Sequence, residues 1–492
     1  MQRYFSKRDW WIIGGLTLAA LLLRFVNLPH PKEIIFDETY FANFAHNYLT
    51  NTKFFDAEPP LAKFFIAGGQ QLFGFNSFGW RFMPALFGAA VIPLMYVFVK
   101  RLFGGIVMPT CAALLALFDG LLLVESRTAL IDIFVVFFNL LTYLLFLLHL
   151  QAKSHKHSFI FLVLTGISLG LGLSVKWITL AFIAPAIALL VVLWLSGKPR
   201  VKKLFKVRGK EALFKTIGAT RANLRPFYYY LVFLALVPVA LYLWIFSFHV
   251  PFDSTGESIW GIHKQIFNYH HNLTATHPYG SSWWSWPILE RPVLYYFKSP
   301  AGQWSSITAL GNPIIWWTGL AALAYGAWRF VKTRNLALGL VLFAFIAHFG
   351  PWALIDRVLF IYHYMGGLPF LMIVMAYALG QSWAWKPKDT TWQVFAWGLL
   401  VAYGGIIGGL LARSAFGDVD AAIAFIMGAA LVSLPIVWFL LSDVRRLTWG
   451  QKQVVTFLCL VALTFAYFYP LWTGIPLDYN DFQRHLWLKS WI

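Results

Sequence analysis

Cysteine is nearly absent: Cys111 and Cys459 are the only two in 492 residues, and both fall inside long apolar stretches. That excludes a disulfide framework and argues against a thiolate metal site, leaving both thiols as expected packing residues. Charge is scarce as well. At 12% Asp, Glu, Lys and Arg, the chain has too few ionised groups to cover a soluble domain of its size. Acids are the scarcer sign, 20 against 39 bases. No small-residue cleavage site follows the first apolar segment, Trp10 to Val26, so it is expected to stay in the protein as a membrane span. No internal repeat of the kind that marks inverted-repeat transporters is visible.

What the chain does contain is apolar length. Hydrophobic residues make up 59% and the mean hydropathy is +0.66, with runs of about 20 apolar residues recurring to the C-terminus. This predicts an all-α polytopic membrane protein of about eleven to thirteen transmembrane helices. The expected spans lie near 10–28, 82–99, 106–123, 128–148, 158–174, 177–195, 227–248, 313–331, 336–354, 358–380, 391–411, 421–441 and 453–470. Two long loops interrupt them, at 29–80 and 249–312. They divide the chain into an N-terminal module (1–248), a His/Trp-rich loop (249–312) and a C-terminal module (313–492). In the first loop, 42–49 and 61–72 read as short amphipathic helices separated by Pro59-Pro60.

The basic excess sets the orientation. A net charge of +19 would suggest nucleic acid in a soluble chain, but most of the bases fall in the short loops expected to be cytoplasmic. The run from Lys198 to Arg225 carries ten of them against the single acid Glu211. That is the positive-inside pattern beside anionic lipid, and nucleic acid is not an expected partner.

With this orientation, the remaining ionisable groups gather at the opposite, extracytoplasmic face. Asp37, Glu38, Asp56, Glu58 and Lys63 lie just past the first span, and Arg81, Glu125, Arg127, Lys176, His277, Arg291, Asp356, Arg357 and His363 join them. Acids are costly near a membrane unless they face water, a partner or a substrate. Acids beside several cations suit a reaction that deprotonates a hydroxyl while a phosphate departs. A donor linked to a lipid phosphate fits best, because its tail can remain in the bilayer. Plainer readings stand beside this one. Arg81 could be a snorkelling anchor, Asp132 could pair with Arg127 to hold a helical hairpin, the tryptophans could be an interfacial belt, and Asn272-Leu273-Thr274 could be a glycosylation sequon.

Phe36-Asp37-Glu38 followed by Phe55-Asp56-Ala57-Glu58-Pro59-Pro60-Leu61-Ala62-Lys63 resembles the first-loop signature of the protein O-mannosyltransferases, membrane glycosyltransferases of the GT-C fold. The resemblance continues through Trp80-Arg81-Phe82-Met83-Pro84, Glu125-Ser126-Arg127 with Asp132, Ser174-Val175-Lys176-Trp177, and His277-Pro278-Tyr279-Gly280-Ser281. Gly311-Asn312-Pro313, Phe360-Ile361-Tyr362-His363-Tyr364 and Tyr469-Pro470-Leu471-Trp472 extend it to the C-terminus. Glu58 stands where the family often has His, and 249–312 is too short to hold the MIR domain of eukaryotic members. The resemblance is thus to the compact bacterial branch.

That resemblance implies an inverting enzyme that moves mannose from polyprenyl-phosphate-mannose to Ser or Thr hydroxyls of proteins at the extracytoplasmic face of the cell membrane. Asp37 would be the base and Glu38 would orient it or the acceptor. Lys63, Arg81, Arg127 and Lys176 would face the departing phosphate, with His277, Arg357 and His363 as further donor or acceptor contacts. No metal or other cofactor is expected. The lipid donor, the bilayer, secreted or membrane-protein acceptors and the secretion machinery are the expected partners. The alternatives are another GT-C transferase with a different sugar or acceptor and, more remotely, a transporter or flippase for an anionic lipid.

Overall fold

The computed structural model describes residues 5–205, 212–299, 302–385 and 447–491. Among them, seven helices are long and apolar enough to cross a membrane, or eight if a bent pair counts as one span. The expected spans at 391–411 and 421–441 lie outside the described residues.

Helix α1 (Lys7–Phe25) starts in a capping box between Ser6 and Asp9, which satisfies two otherwise orphaned N–H groups. It packs along α4 (Ser77–Phe103), and the first loop between them folds into α2 (Glu38–Thr50) and α3 (Leu61–Phe73). These are the two short helices that the amphipathic pattern predicts. Pro60 at the start of α3 and Asn76 at the start of α4 set their boundaries, with the Asn76 carboxamide accepting from Phe78 and Gly79 N–H at 3.0 Å each. Gly69 of α3 lies against Gly79 of α4 so closely that a Cβ there would meet the Gly79 carbonyl at 2.4 Å. The loop is therefore clamped onto the bundle.

Three expectations change in the structure. The span expected at 106–123 is broken into α5 (Val107–Leu117) and α6 (Gly120–Arg127), bent by 58°. Asp119 at the break caps α6, accepting from Leu122 N–H at 3.0 Å, and also receives the Trp316 indole at 2.7 Å. Glu125, Ser126 and Arg127, which fall between two expected spans, are consequently buried at the end of α6. The span expected at 358–380 is shortened to Leu368–Trp383, because 355–367 forms a loop and two turns of 3-10 helix. Finally, the chain is not wholly helical: β1 (Val293–Lys298), β2 (Gln303–Ala309) and β3 (Leu477–Asp478) form a small antiparallel sheet in that order.

Helix α7 (Asp132–Gln151) runs beside α8 (His155–Leu173) and α4, and the helix Trp177–Gly197 follows α8 after a short turn at Lys176. The loop after Phe252 contributes the helix Ile259–His271 and the aromatic turn Trp283–Ile288. Of the expected aromatic belt, Trp286 is fully buried while Trp284 is exposed, so one tryptophan is core and the other surface. Cys111 is buried in α5 and Cys459 is exposed on the helix Trp449–Thr473.

Candidate active site

The first loop, the turn before Trp177, the end of helix Ile259–His271 and the segment 357–363 converge on one open cavity of about 530 Å³. Its ionisable lining comprises Asp37, Asp56, Glu58, Asp132, Lys176, His270, His277, Arg357 and His363, and aromatic side chains from Phe36 to Tyr362 fill much of the rest.

Asp37 occupies the N-cap position of α2, where an aspartate ordinarily accepts from the first helical N–H groups. Here its side chain makes no capping bond, and none to its carboxylate is found among the described residues. An N-cap carboxylate left uncommitted is available to a ligand. Burial pushes its pKa up to about 6, with Asp132 adding to the rise and Lys176 opposing it.

Lys176 and Asp132 form a 3.0 Å ion pair across the cavity wall. Burial disfavours the Lys176 ammonium, but Asp132 and Glu58 outweigh that cost and the net shift is upward. The expected partner of Asp132, Arg127, is engaged elsewhere. Arg357 is half-buried and has neither a hydrogen bond nor an ion pair among the described residues, as is true of the Glu58 carboxylate. His363 is buried, and burial together with Lys176 and Arg357 pushes it well below the ordinary histidine range, so its ring is neutral. Its Nδ1 faces the Phe360 N–H at 3.1 Å. His277 is exposed at the cavity rim and accepts from Tyr279 N–H.

Four expected site residues do not line the cavity. The Glu38 carboxylate is fully buried behind Asp37 and forks onto Arg81, with Nε–Oε1 at 2.7 Å and Nη2–Oε2 at 2.8 Å. It also receives the N–H groups of Ile35 and Ala129. Arg81 spends its remaining donors on the carbonyls of Leu28, Pro31 and Glu33, so it is no snorkelling anchor. Lys63 is buried against Asp56 at 2.7 Å and donates to the Glu58 and Pro59 carbonyls. Arg127 donates to the carbonyls of Leu23, Arg24, Val26 and Asn27 at 2.9–3.2 Å. The three cations share a cause: in a charge-poor interior each is held by backbone carbonyls that no helix or strand satisfies, at the end of α1 for Arg127 and in the first loop for Arg81 and Lys63, and Glu38 is drawn in as the counter-charge of Arg81.

Among the described residues, no group of three or more His, Cys, Asp or Glu side chains is arranged to hold a metal ion. The arrangement offers an uncommitted carboxylate, a free guanidinium and a shared ammonium in one partly apolar cavity. These are the parts for removing a proton at one side while stabilising an anion at another.

Residues 15–252 match the sequence model of the family described as dolichyl-phosphate-mannose-protein mannosyltransferase, and residues 255–491 match that of the C-terminal four-transmembrane region of protein-O-mannosyltransferase. The chain is 26% identical to the polyprenol-phosphate-mannose–protein mannosyltransferase of Mycobacterium tuberculosis, over 98% of this chain and 92% of that protein. It belongs to the protein O-mannosyltransferase family. In fold, the mannosyltransferase is similar to a chain of the Saccharomyces cerevisiae Pmt1-Pmt2 complex bound to the sugar donor, with a TM-score of 0.73 at 16% identity, covering 100% of this chain and 93% of that one. It is also similar to ArnT from Cupriavidus metallidurans, with a TM-score of 0.58 at 17% identity over 95% and 77% of the two chains. These likenesses give the mannosyltransferase a multi-pass, GT-C-type fold.

The geometry changes what is expected of Arg127 in this mannosyltransferase. Arg127→Ala removes four bonds that close the end of α1, and is expected to lower stability by roughly 1.5–3 kcal/mol or more. Donor affinity per folded molecule should be little changed. Thermal unfolding and donor binding on the purified variant check this; a selective loss of donor binding at unchanged stability would return Arg127 to the site.

Proposed function

We propose that this mannosyltransferase moves mannose from polyprenyl-phosphate-mannose to Ser or Thr hydroxyls of secreted or membrane proteins, working at the extracytoplasmic face of the cell membrane. The observation that carries the reading is the uncommitted Asp37 carboxylate sharing one cavity with Lys176 and Arg357. Asp37 takes the proton of the acceptor hydroxyl as its oxygen bonds to the anomeric carbon. The bond from that carbon to the phosphate oxygen breaks on the opposite face, inverting the centre. Polyprenyl phosphate leaves as an anion and needs cations rather than a proton donor, and Lys176 and Arg357 supply them. His277 and the neutral His363 contact donor or acceptor hydroxyls. The apolar wall receives the first isoprene units and the sugar face.

Purified protein incubated with radiolabelled polyprenyl-phosphate-mannose and a Ser/Thr-rich peptide tests the reaction; label that stays in lipid, or reaches a glycan and not the peptide, would overturn it. Within that assay Arg357 is the cleaner probe of phosphate binding. Its removal leaves no acid unpaired, whereas removal of Lys176 would orphan Asp132. Arg357→Ala is expected to weaken donor binding by about ten- to a hundredfold, the equivalent of one charge-assisted contact of roughly 1.5–3 kcal/mol. Donor affinity equal to wild type in a folded Arg357→Ala protein would remove it from the phosphate site.

A further inference from the structure

Asp37 follows a strained neighbour. Phe36, immediately before it, has a φ of 46°, a left-handed backbone that a bulky side chain holds only when its surroundings enforce it. The small sheet packs against it. Leu294 pairs with Thr308 and Tyr296 with Ile307, which leaves Tyr295 as an extra, unpaired residue in β1. Bulges of this kind re-aim a side chain. The Tyr295 ring is buried and lies flat on Phe36, with centroids 4.1 Å apart and planes 11° from parallel. Its hydroxyl donates to Glu125 Oε1 at 2.5 Å. Glu125 Oε2 has no hydrogen-bond partner among the described residues, so the tether to Tyr295 is the one hydrogen bond that holds this buried carboxylate. Tyr362 closes the other edge of Phe36, at 6.1 Å and 70°.

We propose that Tyr295 is a positioning residue for mannosyl transfer: stacked on Phe36 and tethered to Glu125, it fixes the left-handed turn that aims the Asp37 carboxylate into the cavity. The inference rests on the reading of Asp37 as the base. A displacement of about 1 Å at a reacting group can cost about a hundredfold in rate, so Tyr295, whose ring also borders the cavity, can govern turnover through the placement of Asp37 rather than through a contact of its own. A residue that only packs would affect stability alone, and one that binds donor would affect KM.

The test compares the purified full-length enzyme with Tyr295→Leu, Tyr295→Phe, Phe36→Leu, the Phe36→Leu/Tyr295→Leu double variant and Asp37→Asn, reading kcat, donor KM and melting temperature. Tyr295→Leu is expected to lower kcat by about ten- to a hundredfold with donor KM within about twofold of wild type. Tyr295→Phe keeps the stack but drops the tether, so kcat should fall by less than in Tyr295→Leu while the orphaned Glu125 lowers the melting temperature. The double variant should be no worse than the poorer single, because the two rings act as one unit. A folded Tyr295→Leu enzyme with wild-type kcat overturns the proposal, as does a loss carried by donor KM or single losses that multiply in the double. If Tyr295→Leu does not fold, Phe36→Leu decides, a lowered kcat supporting the proposal and a wild-type kcat overturning it. Asp37→Asn separates the two layers. Near-normal turnover there sinks the assignment of the base, while its loss beside an unaffected Tyr295→Leu enzyme sinks the positioning role alone.

Discussion

Asp37→Asn is expected to lower turnover by about a hundredfold or more, with donor and acceptor binding changed far less. The amide preserves shape and volume and removes the ability to take a proton. A capping role would predict the reverse, a poorer yield of folded protein with normal turnover per molecule, but the Asp37 side chain makes no capping bond. The pH profile gives a second reading of the same group. Burial, reinforced by Asp132 and opposed by Lys176, places its pKa at about 6, and the acting form is the deprotonated one. Turnover should therefore fall as pH drops through about 6 and level off above it. The acidic limb should vanish from the residual activity of Asp37→Asn. Near-wild-type turnover in that variant would move the base to Glu58 or Asp56, the other first-loop acids on the cavity.

Much of this architecture is legible in the sequence. Apolar run length located α4, α7, α8 and the helices at Trp177 and Phe227, because a membrane-length helix has no competing use for such a run. The first-loop motif marked both the family and the segment that reaches the cavity. The illegible part lies one level down. Asp37 and Glu38 are adjacent, and successive residues at a helix start point about 100° apart. Nothing in the pair itself says which faces the cavity and which faces Arg81. The cations misled for a related reason. Lys63 and Arg127 end on backbone carbonyls, and a carbonyl has no sequence signature. A motif rich in Lys and Arg therefore looks like a phosphate site even where it closes helix ends. Tyr295 carries no sequence signal of its own, because β1 is six residues long and lies within a loop whose aromatic content equally fits an interfacial belt.

The consequence is sharpest at Glu38, where catalytic and architectural roles predict opposite outcomes. The Glu38 carboxylate receives two Arg81 nitrogens and two backbone N–H groups, with both side chains fully removed from solvent. Glu38→Gln is nearly isosteric but leaves the Arg81 guanidinium buried without a counter-charge. Breaking one half of a buried pair costs about 3–5 kcal/mol, comparable with the whole margin of a marginally stable fold. Folded yield and melting temperature are thus expected to fall steeply, while turnover per folded molecule changes by less than about tenfold. Arg81→Lys should not substitute, since an ammonium cannot reproduce the two-pronged contact. Removing both charges together, as Glu38→Leu with Arg81→Met, should recover part of the stability lost in either single variant, because no unpaired ion remains. The two backbone N–H groups of Ile35 and Ala129 would still lack an acceptor, which limits that recovery. Normal yield and melting temperature in Glu38→Gln with turnover abolished would refute the architectural role and place the carboxylate in the reaction itself.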